Sequence, residues 1–214
     1  MKRLVVAGVA AAVVLTMATA ARVSEPAHQA RPVAAHHHRH VEPSRRSATR
    51  PHRPDALVIP ALEVRAPLVA MGAVGTPGSA ALTIPRNIHT VAWWDGDFTN
   101  AGARTHERAV MPGQPGVALI AGHVDSAAAG PGALYNLGHL NVGDVVRVTL
   151  RGRTTTWRVA RGPQLTPKTA LPKALFRSTG SPRLALVTCG GGFDSATGHY
   201  LDNVVVWAVP AQRA

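Results

Sequence analysis

Cysteine is nearly absent from this 214-residue chain: Cys189 stands alone, so no disulfide can form within it. Aromatic residues amount to only 4%, too few for the stacking platforms that hold single-stranded nucleic acid. Acidic residues are scarce as well, 11 against 23 Lys and Arg, which leaves a net charge of +12. That excess is uneven. Residues 1–54 carry 9 Lys and Arg against Glu25 and Glu42, whereas residues 55–214 carry 14 against 9 acidic residues. The larger part is only mildly basic and has no run of basic residues interleaved with aromatics, so no nucleic-acid partner is expected. Apolar residues make up 46%, enough for a sizeable core, and Gly and Pro number 20 and 17. This balance favours short strands and turns over a helical bundle.

One long apolar run is present. Leu4 to Ala21 follows Lys2 and Arg3 and contains no ionisable residue; at 1.5 Å per residue it would cross about 27 Å of hydrocarbon. Residues 1–21 therefore read as an uncleaved signal anchor with the amino terminus in the cytoplasm and the rest outside the cell. A cleaved signal peptide is the alternative, because Ala18-Thr19-Ala20 offers small residues to a signal peptidase. Residues 22–54 are rich in Pro, Ala, Arg and His without apolar periodicity and read as a disordered basic tether. His36, His37, His38 and His40 could approach a transition metal, but a tether lacks fixed geometry and supporting hydrogen bonds, and no metal site is assigned.

From Asp55 onward short apolar runs are punctuated by Gly and Pro, the pattern of an all-β barrel or sandwich. Strands are predicted at Ala56–Ile59, Ala66–Met71, Val117–Ala121, Val145–Leu150, Thr154–Ala160, Leu184–Thr188 and Asn203–Val209. A turn is expected at Asn141–Asp144 and a tight hairpin at Arg151-Gly152-Arg153. Thr169–Ser178 has room for a short helix. Trp93 and Trp94, with the polar segment Asp95–Gln114, suggest a long mobile connection, although core packing suits the tryptophans too.

An unpaired thiol in an exported chain is liable to oxidation, which suggests that it has a use. Cys189 follows the apolar run Leu184–Thr188 and precedes Gly190-Gly191-Gly192, so it should be presented where a strand ends. A neutral thiol is a poor nucleophile and needs a helper, most often histidine. Six of the eleven histidines lie in the tether, leaving His89, His106, His123, His139 and His199. His123 stands out because it also follows a predicted strand, ending at Ala121-Gly122.

These pieces carry a resemblance. Ala121-Gly122-His123-Val124-Asp125-Ser126, Gly130 to Leu137, Leu186-Val187-Thr188-Cys189-Gly190-Gly191 and Asp202 to Val206 resemble the sortases, specifically their class F branch, in order and spacing. The likeness covers roughly residues 55–210. It implies a sortase-like eight-stranded β-barrel over residues 55–214 with one or two short helices, preceded by the membrane anchor and tether. It also implies a cysteine transpeptidase, cleaving a Leu-Pro-x-Thr-Gly-like sorting signal between Thr and Gly through a thioester on Cys189. His123 would protonate the departing amine and deprotonate the incoming one. The implied partners are secreted proteins bearing the signal, a peptidoglycan precursor or other amine acceptor, and the membrane; no cofactor or metal is implied.

One departure matters. The sortases place an arginine on the strand after the cysteine, yet none occurs here between Cys189 and Arg213. The matching position falls near Asn203, with Leu201 two residues before it on the same predicted face, and an amide brings neither positive charge nor a guanidinium fork. Asn203 can donate a neutral hydrogen bond and is the candidate to orient the substrate or oxyanion in place of the usual arginine, unless it only bonds backbone; otherwise the oxyanion is held by another group or an arginine from another strand takes the role, with Arg183 and Arg86 as candidates. Asp125 and Ser126 read as loop formers and Tyr135 as packing. Two other readings stay open: a Cys-dependent L,D-transpeptidase of peptidoglycan, and a non-catalytic envelope-binding β-domain in which Cys189 is merely buried.

Overall fold

Strands form where apolar side chains recur at every second position. Val146, Val148 and Leu150 are buried along one strand, and Trp157 and Val159 along the next, with exposed or half-buried residues between them. The computed structural model describes residues 53–75, 81–100, 102–168 and 171–212. The expected anchor and tether lie outside these residues. Among the described residues no helix is long and apolar enough to cross a membrane.

Twelve strands follow in chain order: β1 (Ala56–Ile59), β2 (Val64–Val74), β3 (Ala81–Leu82), β4 (Val91–Asn100), β5 (Ala103–His106), β6 (Val117–Gly122), β7 (Asp125–Ser126), β8 (Gly130–Pro131), β9 (Val145–Leu150), β10 (Arg153–Pro167), β11 (Arg183–Asp194) and β12 (His199–Pro210). Hydrogen bonding runs β2-β1-β9-β10-β12-β11-β6-β4 and returns from β4 to β2, so eight strands form a closed ring. β3 and β5 are added outside it, on β2 and β4. The all-β expectation holds. Helix is confined, among the described residues, to 3₁₀ turns at Pro60–Leu62, Leu137–His139 and Lys173–Phe176.

Two apolar clusters sit on opposite faces of the sheet. Leu57, Trp93, Ile120, Trp157, Leu186 and Val206 belong to one, together with Leu134 and Leu137. Trp94, Phe98, Leu119, Val187 and Val205 belong to the other, which Leu171, Leu175 and Phe176 cover. β6 and β11 contribute alternate residues to both clusters and pair in parallel, so they are buried on both faces. This explains why Val117–Gly122 and Leu184–Thr188 read as unbroken apolar runs rather than alternating ones.

Several expectations change. Asp95–Gln114 is not a long connection: β4 continues to Asn100 and turns back as β5, with Gly96 and Phe98 buried at period two. Across this hairpin Asp97 accepts hydrogen bonds from His106 at 2.6 Å and Arg104 at 2.9 Å, and the two, His106 first, hold its carboxyl below the ordinary value. Trp93 and Trp94 are both core residues, on opposite faces. The expected helix in Thr169–Ser178 contracts to the 3₁₀ turn at Lys173–Phe176, residues 169 and 170 lying outside the described part. β11 does not stop at the glycines, because β12 continues to pair with it as far as Asp194, past an irregularity between Gly190 and Phe193. The two turns form as expected; at Arg151-Gly152 both residues take positive φ, 50° and 75°, the geometry of a two-residue hairpin.

Candidate active site

The parallel register of β6 and β11 brings the two candidate catalytic residues together. Leu186 pairs with Ile120 and Val187 with Ala121; continuing that register by two residues sets Cys189 beside His123. The backbones of neighbouring strands lie about 4.8 Å apart. Thr188 secures the alignment. Its hydroxyl is buried and donates to the Gly122 carbonyl at 2.9 Å, linking the residue before Cys189 to the residue before His123. Alternation along β11 puts Cys189 on the face of Ala185 and Val187, outside the ring, and alternation along β12 puts Asn203 on the same face as Val205.

His123 is held from three sides. Its ring Nε2 lies 2.9 Å from the Pro85 carbonyl. A carbonyl oxygen only accepts, so Nε2 carries the hydrogen, and Nδ1 is the nitrogen able to gain and lose a proton without breaking this bond. The His123 carbonyl accepts from the Leu134 N–H at 3.0 Å, and Gly132 packs so closely that a Cβ there would sit 2.6 Å from the same oxygen.

Cys189 is half-buried. Directly opposite on β12 is Asn203, with only 8% of its surface exposed. Paired residues of an antiparallel ladder project to the same side, so the amide and the thiol are neighbours. Beyond them Gly191 takes φ 75° at a place where a side chain would collide with Asp202, and only glycine lets the chain pass.

Cys189 and His123 line one open hollow of about 560 Å³. Phe193, Tyr135 and the β7–β8 hairpin form much of its rim. Asp125, expected only to shape a loop, does more: it pairs within β7–β8 and accepts a 2.6 Å hydrogen bond from the Tyr200 hydroxyl of β12. The Asp125 carboxylate, aided by partial burial, pushes the Tyr200 phenol up to about 12. Tyr200 carries no sequence signal of its own; the fold brings it from β12 to the lining of the hollow, against Asp125. Tyr135, expected to pack, is 50% exposed at the rim.

A family model described as the sortase domain matches residues 57–211. The chain belongs to the sortase family. No curated protein matches the sequence. Among solved structures, sortase C-1 from Actinomyces oris is 20% identical, over 74% of this chain and 74% of that one, with a TM-score of 0.52. Sortase C1 from Streptococcus agalactiae is 17% identical, over 75% and 68%, with a TM-score of 0.52. Sortase A from Corynebacterium diphtheriae is 16% identical, over 75% and 61%, with a TM-score of 0.51. At these identities the likeness establishes a shared sortase fold.

The departure at Asn203 takes physical form in this sortase. Arg183 opens β11, six positions before Cys189 along an extended strand, and lines a separate hollow with Arg161 and Arg177. At about 3.3 Å per residue that is about 20 Å away, too far to reach a carbonyl held at the sulfur. Arg86 follows Pro85, whose carbonyl meets the His123 ring. Arg183 does not take the vacant role.

Proposed function

We propose that this sortase is a cysteine transpeptidase of the class F kind. Cys189 attacks the threonyl carbonyl of a Leu-Pro-x-Thr-Gly-like sorting signal, and a cell-envelope amine then takes the acyl group. The observation that carries the reading is that Cys189, within β11, and His123, just past the end of the parallel β6, line one hollow, with the imidazole fixed through Nε2. His123 Nδ1 takes the proton of the Cys189 thiol, and attack of the sulfur on the amide carbon forms a carbon–sulfur bond and an oxyanion. Collapse re-forms the carbonyl and breaks the carbon–nitrogen bond, with the leaving glycyl amine taking a proton from His123 Nδ1. The same nitrogen then accepts a proton from the incoming amine as it attacks the thioester. Neither half-reaction requires a metal or cofactor.

The substrates in this reading are exported proteins carrying the signal, and the acceptor is a peptidoglycan precursor or another envelope amine. Residues 4–21 hold the protein at the cell membrane with residues 55–214 outside the cell, and the basic tether spans the interval. Support for that placement comes from the uncharged run and the two basic residues before it.

The protein incubated with a library of Leu-Pro-x-Thr-Gly-like peptides and an amine acceptor should give a mass increase on Cys189 matching the acyl fragment, followed by the transfer product. Cys189→Ala should abolish both while the protein stays folded. Turnover by that variant, or a muropeptide adduct in place of the peptide acyl group, would refute the reading.

A further inference from the structure

The oxyanion formed at a sortase cysteine calls for a compensating charge or a strong donor. Asn203, opposite Cys189, is neutral, and Arg183 lines a separate hollow. Two hollows meet at Cys189: the larger on the His123 side, and a smaller one of about 120 Å³ on the Asn203 side, bounded by Ile84, Leu171 and Val187. Lys168 lines both. No other Lys or Arg among the described residues lines either one.

Lys168 reaches this position from the third strand of the group. Thr166 of β10 pairs with Asn203 and Pro167 with Asp202, and the Lys168 N–H then donates to the Leu201 carbonyl at 3.1 Å. Its backbone is thereby pinned beside the strand that carries Asn203, while four methylenes give the ammonium reach across the mouth. Among the described residues no carboxylate forms an ion pair with it.

We propose that Lys168 supplies the positive charge that the sortases otherwise draw from an arginine, its ammonium donating to the oxyanion formed when Cys189 attacks. The inference rests on the transpeptidase reading above. The ammonium keeps all its protons: electron density moves from the carbonyl π bond to oxygen as the carbon–sulfur bond forms, and returns when the carbon–nitrogen bond breaks. Lys168 contributes only electrostatic attraction and a hydrogen bond, with Asn203 as a second, neutral donor.

Two measurements test this. Cys189 is the single thiol, so its alkylation by iodoacetate and by iodoacetamide can be compared directly, and their ratio cancels the fraction of thiolate. A nearby ammonium favours the anionic reagent; Lys168→Gln should lower the ratio by about fivefold at low salt, and Lys168→Arg should preserve it. This readout needs no substrate and survives failure of the transpeptidase reading. In turnover, Lys168→Gln should reduce kcat by about 10²-fold with little change in KM, and Lys168→Arg should retain most of the activity. An unchanged reagent ratio, or Lys168→Gln turning over at the wild-type rate while Cys189→Ala is dead, would overturn the proposal and leave the transpeptidase reading standing.

Discussion

Thr188 donates a buried hydrogen bond to the carbonyl of Gly122, 66 residues away in sequence, at 2.9 Å. The bond spans the two parallel strands one residue short of the cysteine and the histidine, so the register of the candidate catalytic pair is held by a side chain that performs no chemistry itself. Thr188→Val keeps the shape but removes the donor to the Gly122 carbonyl. It should cost about 1–3 kcal/mol of stability in urea unfolding, and peptide turnover should fall with it. Thr188→Ser restores the donor and should recover most of both.

The bridge between Tyr200 and Asp125 predicts a pH signature. The phenol is pushed up to about 12 from an ordinary 10.0, so the folded state favours its neutral form. The stabilisation is complete below pH 10 and is lost as pH rises through about 12. With two tyrosines in the chain, a Tyr135→Phe background isolates Tyr200 for ultraviolet titration. Its midpoint should lie near 12 and should move down toward the ordinary value in Asp125→Asn.

Gly132 offers a steric test of the histidine's seat. A Cβ at this position would stand 2.6 Å from the His123 carbonyl oxygen and 2.9 Å from the His123 Cβ, both closer than real contacts allow. Gly132→Ala must therefore displace the His123 backbone or the 130–134 segment. About 1–3 kcal/mol of destabilisation is expected by thermal melting, with a loss of turnover larger than the small fall in folded fraction explains. Turnover equal to wild type would mean that His123 is not held by this contact.

Asn203 should matter less than the cation. A neutral donor to the reacting carbonyl contributes about 1 kcal/mol, so Asn203→Ala should lower kcat/KM by about fivefold. The substitution should leave the alkylation ratio of Cys189 unchanged, because no charge is removed. A drop as severe as that in Cys189→Ala would assign Asn203 a far greater share.

Much of this site is legible along the chain because its motifs are local. One apolar run leads into Gly-His and another into Thr-Cys-Gly, and each stops at a chemically active side chain. Asn203 is reached along the chain only through the family resemblance, because an irregularity between Gly190 and Phe193 shifts the β11–β12 register by one residue and so sets Asn203, not Val204, opposite Cys189. The Asp95–Gln114 segment misleads for an equally local reason. Its apolar positions in β4 are separated by Asp95 and Asp97, and the acidic residues suggest a loop until β5 is seen supplying Arg104 and His106 to one of them.

The all-β class, the exposed turns and the candidacy of Cys189 and His123 are therefore determined by the sequence alone, since alternation, glycine placement and residue chemistry act over a few positions. Tertiary structure alone decides what surrounds the pair: Pro85 on the imidazole, Tyr200 on Asp125, and Lys168 beside the thiol. These partners come from strands and loops 21 to 75 residues away, joined by closure of the ring. No periodicity encodes such a meeting, because it depends on which strand edges pair and not on which residues compose them.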